Sequence, residues 1–207
     1  MKEAEIERLG EMFSIEESLM QKGYSVIAGV DEAGRGPLAG DVYAAAVVLP
    51  QGILIEGLND SKKISEKKRE KLYDEICENA IAYAVATASV EEIDTYNIRN
   101  ATYIAMNRAI EALKVKPDYV LVDGDCIKEC NYKHECVVKG DAKSASIAAA
   151  SILAKVTRDR YMKRLSEKFP EYGFEKHNGY GTVAHIAALK EFGASEVHRK
   201  TFIKKFV

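Results

Sequence analysis

Four carboxylates stand where apolar segments run out. Asp31 and Glu32 follow the apolar run SVIAGV (25–30), Asp123 follows YVLV (119–122), and Asp141 comes just after ECVVK (135–139) and ahead of a helical stretch. Apolar runs of this length, bounded by glycine or polar residues, predict buried strands. Strands laid side by side in one sheet would gather the acids at their ends into a small volume. Carboxylates gathered without cations raise one another's pKa and cost the fold stability. Hard divalent cations relieve this, because Mg²⁺ takes oxygens from a few carboxylates and leaves positions for water and substrate phosphate. Two such ions can activate a water and stabilise the leaving oxygen of a phosphodiester. Each acid alone reads as a solvated turn former; the repeated placement favours a metal centre.

The acidic pair also opens the segment GVDEAGRGPLAG (29–40). Gly34, Gly36 and Gly40 permit close backbone approach to a ligand, and Arg35 is a planar donor for phosphate or sugar oxygens. The segment is not a Walker loop, since it lacks the Gly-Lys-Ser/Thr ending. Nor is it a dinucleotide fingerprint, since its glycine spacing and the element after it are wrong.

The hydrophobic pattern supplies the elements that must position these groups. Residues 2–21 read as one amphipathic helix closed at Gly23, giving an N-terminal extension (1–22) ahead of the main domain (23–207). Strands are predicted at 25–30, 41–49, 80–88, 119–122 and 135–139, and helices at 65–79, 97–115, 144–169 and 182–192. Ser89 with Glu92 makes a capping box, and Thr182 and Gly193 cap the last helix. Three consecutive strands followed by helix–strand–helix alternation predict an α/β fold. Its mixed five-stranded sheet is antiparallel at first and parallel later, flanked by helices and completed by helical C-terminal elements.

The chain has 207 residues, enough for one sizeable domain or a domain with a short appendage. Thirty Lys and Arg against 32 Asp and Glu give a net charge of −2, which excludes nucleic-acid binding through bulk positive charge but not through a local basic face. Acids near a polyanion must then be remote from it or neutralised by metal ions. No apolar run approaches the ~20 residues that span a bilayer. The start MKEAEIERLGEM lacks the apolar core of a secretion signal, so a cytoplasmic protein without a membrane partner is expected. Cys126, Cys130, His134 and Cys136 have spacing irregular for zinc; reduced thiols are expected, with a Cys126–Cys136 disulfide the lesser reading.

The Gly-rich segment is joined by NDSKKIS (59–65), YNIRNATYIAMNRAI (96–110), YVLVDG (119–124), VKGDAKSASIAAASILAKVTRDR (138–160), HNGYGT (177–182) and HRKTF (198–202). In this order, and over nearly the whole chain after the first helix, the sequence resembles ribonuclease HII, the type 2 ribonuclease H family. The resemblance implies a ribonuclease H-like fold and a metal-dependent endonuclease that cuts RNA in RNA–DNA hybrids. It also implies nicking of duplex DNA on the 5′ side of an embedded ribonucleotide, by attack of water that leaves a 3′-hydroxyl and a 5′-phosphate. Mg²⁺ or Mn²⁺ would be the cofactor, held by Asp31, Glu32, Asp123 and Asp141, with Asp31 bridging two ions. Gly34-Arg35-Gly36 with Tyr180 would sense the 2′-hydroxyl and the RNA-to-DNA junction, which suits the chemistry because the 2′-hydroxyl is what distinguishes ribose there.

Phosphate contacts are expected from Lys62, Lys63, Lys143 and Ser144. Lys155, Arg158, Arg160, Lys163 and Arg164 read mostly as a solvated helix face. Asp41 and Asn178 stand where many members carry proline and lysine, adding an acid near the site and removing one phosphate contact. Nothing in the sequence demands more than a monomer. A junction resolvase or integrase-like enzyme on the same fold would not need the Gly34–Gly36 element paired with Tyr180, and a hybrid-binding module would not cut.

Overall fold

The computed structural model describes residues 1–124, 127 and 130–207. The apolar runs form β1 (Ile27–Ala33), β2 (Val42–Val48), β3 (Ala82–Ala88), β4 (Tyr119–Asp123) and β5 (His134–Val137), in the spatial order β3-β2-β1-β4-β5. β2 pairs antiparallel with β1 and β3, whereas β4 pairs parallel with β1 and β5, as the order of elements predicts. Every residue of β2 is buried because both faces of the sheet are covered. Ala45 and Val47 face the core under α3 (Glu66–Asn79) and α5 (Ala145–Lys168), and Ala44, Ala46 and Val48 face α4 (Val90–Glu111). The Ala-rich half of α5 lies close on β1: a Cβ at Gly29 would collide with the backbone of Ser146 and Ile147.

Local differences from the periodicity have tertiary causes. The N-terminal segment is two helices, α1 (Glu3–Met12) and α2 (Ser14–Gln21), broken at Phe13. The break lets Leu9, Met12 and Phe13 enter the core beneath α3 and α5, while Leu19 joins a separate cluster with Ile27, Leu121 and Ile147. β1 continues through both acids to Ala33 because β2 pairs with it that far, Ala33 opposite Tyr43. α4 starts at Val90 with the expected Ser89–Glu92 capping box and kinks at Asn97 (φ 65°), whose side chain accepts from the N–H groups of Arg99 and Asn100 and so caps the second segment. Beyond α5, α6 (Phe174–His177), α7 (Val183–Phe192) and α8 (Lys200–Ile203) pack around their own cluster of Leu38, Met162, Tyr172, Phe174 and Leu189. Cys126, on which the zinc and disulfide readings turn, lies outside the described residues; Cys77 and Cys130 are free thiols, but Cys136 is disulfide-bonded, which corrects the expectation of a reduced thiol there. No described helix is long and apolar enough to cross a membrane.

α2 is tied to the main domain by a buried carboxylate. Glu16 accepts from the Ser144 hydroxyl (2.6 Å) and the Ser146 N–H (3.0 Å), which anchors the start of α5. Glu16→Ala strands both donors, so a loss of about 2–3 kcal/mol is expected, read as a lower urea midpoint at unchanged slope.

Candidate active site

Parallel pairing sets Val30 opposite Val122, so the next residues, Asp31 within β1 and Asp123 at the close of β4, come side by side at the same end of the sheet. Asp123 accepts from the N–H groups of Gly140 (2.6 Å) and Asp141 (3.4 Å), drawing the turn Gly140–Ala142 onto β4. One carboxylate oxygen from each of Asp31, Asp123 and Asp141 then lies within 4.8 Å of the other two. Asp31 is 5% and Asp141 8% exposed. Burial, then the charges of Glu32 and Asp123, hold the Asp31 carboxyl well above its usual range; burial, then Asp123 and Asp60, raise Asp141. Hard oxygens this close, desolvated and mutually repelling, fit a divalent oxophilic cation.

Glu32 stands apart from that trio. One residue further along an extended strand, it projects to the opposite face. There it lines a small cleft with Arg35, Tyr103 and Asp123, 3.5 Å from the Arg35 guanidinium. Burial lifts its pKa against the pull of Arg35. The structure therefore groups three of the four predicted acids and sets the fourth on their flank.

The basic residues separate in the same way. The Lys62 backbone is held by Asp60, whose side chain accepts its N–H at 2.8 Å. Burial opposes the charge on its side chain, yet Asp31, Asp60, Asp141 and Glu32 together raise its pKa. Lys63 and Lys143 are exposed at the same end of the sheet. Ser144 is a correction to the sequence reading: it is fully buried, its hydroxyl donates to Glu16 and accepts from the Ile147 N–H, and no phosphate can reach it.

The glycine-rich turn lies beside the acids. Gly34 has φ 97°, a conformation side chains rarely adopt, and a Cβ there would strike the Arg158 guanidinium. Arg35 and Gly36 are exposed, and the Tyr180 ring stands next to Gly36. A cleft of about 230 Å³ is lined by Glu32, Gly34, Arg35, Lys62, Arg158 and Tyr180. Leu38 N–H donates to Gly179 O (2.8 Å), which fastens the two loops together. Arg158 is buried rather than part of a solvated face, as is Arg199; no periodicity in the sequence marks either as interior.

Histidines support Tyr180 from behind. His198 Nδ1 accepts from the Ser195 N–H (3.0 Å), so its Nε2 carries the proton and faces His185 Nε2 at 3.1 Å. His185 Nδ1 then donates to Tyr180 O (2.9 Å). Burial holds His198 down at about 4 and lowers His185 as well. Between about 6.5 and about 4 the unfolded chain takes up a proton at His198 that the folded one refuses, so this stability is complete above the window and lost as pH falls through it. With Mg²⁺ saturating, urea unfolding at pH 7.5 and pH 5 should show the protein losing about 2 kcal/mol more than His198→Gln does.

A family model for ribonuclease HII matches residues 28–205. The chain belongs to the ribonuclease HII family. It is 55% identical over 195 residues to ribonuclease HII of Caldicellulosiruptor bescii, covering 94% of this chain and 95% of the relative. It is 51% identical over 205 residues to that of Acetivibrio thermocellus, covering 99% and 80%. Among solved structures it resembles ribonuclease H2 from Pyrococcus horikoshii, with TM-score 0.75, 27% identity and coverage of 88% and 97%. The Archaeoglobus fulgidus ribonuclease HII, solved in complex with PCNA, gives TM-score 0.70 at 28% identity, with coverage of 84% and 94%. As a ribonuclease HII, the chain has the ribonuclease H-like fold and is a metal-dependent endoribonuclease that cleaves RNA in RNA–DNA hybrids.

Proposed function

We propose that this ribonuclease HII also nicks duplex DNA on the 5′ side of a single embedded ribonucleotide, with Asp31, Asp123, Asp141 and the flanking Glu32 as its metal ligands. The observation that carries this reading is the convergence of three buried or half-buried carboxylates within 4.8 Å beside a glycine turn and an exposed tyrosine. Two Mg²⁺ or Mn²⁺ ions held there would supply Lewis acidity to the attacking water and the departing 3′ oxygen. The chain's own residues do the rest. Lys62 offsets the acids where the scissile phosphate must approach, and Lys63 and Lys143 meet phosphates further along the strand. The Gly34–Gly36 turn takes the ribose, since a backbone without side chains can close on the sugar. The Tyr180 ring packs on the neighbouring deoxyribose, where a further hydroxyl would fit poorly. The buried histidines lie behind Tyr180 as neutral supports, so the proton released in attack passes to substrate phosphate or solvent.

Duplexes that differ only in one ribonucleotide test this directly. With Mg²⁺, cleavage at the ribonucleotide should exceed cleavage of the all-DNA duplex by at least about 10³-fold, leaving a 5′-phosphate that ligase can reseal. Equal cleavage of the two duplexes would refute the reading.

A further inference from the structure

Two guanidiniums are buried behind the glycine turn, and among the described residues neither lies within salt-bridge distance of a carboxylate. Arg199 Nη2 donates to Gly34 O (2.6 Å) and Gly40 O (2.7 Å), its Nε to Gly40 O (2.9 Å) and its Nη1 to Arg35 O (2.9 Å). Arg158 donates to Ala39 O (3.2 Å), Asp41 O (3.2 Å) and Asn178 O (3.1 Å). A buried charge is costly unless hydrogen bonds satisfy it. Here those bonds come from carbonyls of the 34–41 loop and the turn before Tyr180, so neither loop can rearrange without uncovering a charge.

The direction of these carbonyls matters more than their number. Among the described residues no peptide bond is cis, and in a trans unit the C=O and the following N–H point opposite ways. Fastening Gly34 O and Arg35 O inward on Arg199 turns the N–H groups of Arg35 and Gly36 outward. Both residues are exposed on that side, and neither N–H has an acceptor among the described residues. Two amide donors are thus held ready for one external oxygen.

We propose that Arg199 and Arg158 are positioning residues for ribose recognition, holding the 34–41 loop so that the Arg35 and Gly36 amides meet the 2′-hydroxyl. This rests on the reading of that turn as the sugar sensor. Neither arginine touches substrate through this device; each acts through the backbone it holds. Lysine keeps the charge but lacks the planar fork that reaches several carbonyls at once.

The test is a binding cycle in an Asp123→Asn background, which prevents turnover in Mg²⁺. Affinities are measured for a duplex with one ribonucleotide and for the matching all-DNA duplex, at a temperature where melting curves show each variant folded. Adding Arg199→Lys should shrink the preference for the ribonucleotide by about three- to tenfold, with affinity for all-DNA duplex changed less than about twofold. A merely structural arginine would shift both affinities together and leave their ratio intact, which overturns the proposal. If Arg199→Lys does not fold, Arg158→Lys, with longer bonds to the same loop, is read by the same criterion. A parent protein that binds the two duplexes equally overturns the sugar-sensing reading itself, and that result shows before any arginine is changed.

Discussion

Asp31→Asn is expected to lower single-turnover cleavage by at least about 10³-fold while raising the melting temperature of the metal-free protein. Both effects have one cause. Asp31 is buried and feels the charges of Glu32 and Asp123, and its folded pKa lies well above the 3.8 it has when solvated. Between those two values the folded chain binds a proton that the unfolded chain does not, so stability falls as pH rises through the window and stays reduced above it. At pH 7.5 the metal-free enzyme is therefore destabilised by this buried carboxyl group, a penalty that asparagine removes, for a gain of about 1–3 kcal/mol. Cations offset the same repulsion in the native protein, so added Mg²⁺ should raise its melting temperature by more than it raises that of Asp31→Asn. Calorimetric melts with and without Mg²⁺, beside quenched single-turnover assays, read both halves. A variant that retained a tenth of the activity would remove Asp31 from the chemistry.

Gly29→Val should abolish stable folding, with a loss of more than about 4 kcal/mol. Gly29 lies at the middle of the sheet on β1, where the start of α5 crosses it, and any Cβ would meet backbone atoms of Ser146 and Ile147. Backbone cannot swing aside as the end of a side chain can, so the helix would have to lift from the strand. That displacement would break the Glu16 anchor on Ser144 and Ser146 and disturb the turn that carries Asp141. The measurement is soluble yield and urea midpoint; a midpoint within the range of surface substitutions would show that α5 does not rest on Gly29. An effect this large is a substantial fraction of the ~5–15 kcal/mol that holds a typical domain folded.

The sheet and the edge at which the acids gather follow from local pattern. Apolar runs in β1 and β4 each end in acid, and short runs between glycines or polar residues form strands wherever they can be buried. The glycine segment is legible from its residues; family likeness adds its ribose-sensing role and the part of Tyr180. Facing is a different matter, because it depends on what each residue meets. β1 continues past Asp31 only because β2 pairs with it to Ala33, and that extension sends Glu32 to the other face of the sheet. The sequence places Ser144 beside Lys143 at a helix start, yet Glu16, 128 residues away, takes its hydroxyl into the interior. Arg158 has the spacing of a solvated face, and Arg199 lies in a polar segment near the C-terminus. Each is buried because carbonyls 117 to 165 residues distant close around its guanidinium. Periodicity reports which side of an element is apolar. Which polar groups become interior is decided only when remote backbone supplies their hydrogen bonds, and that happens in the tertiary structure alone.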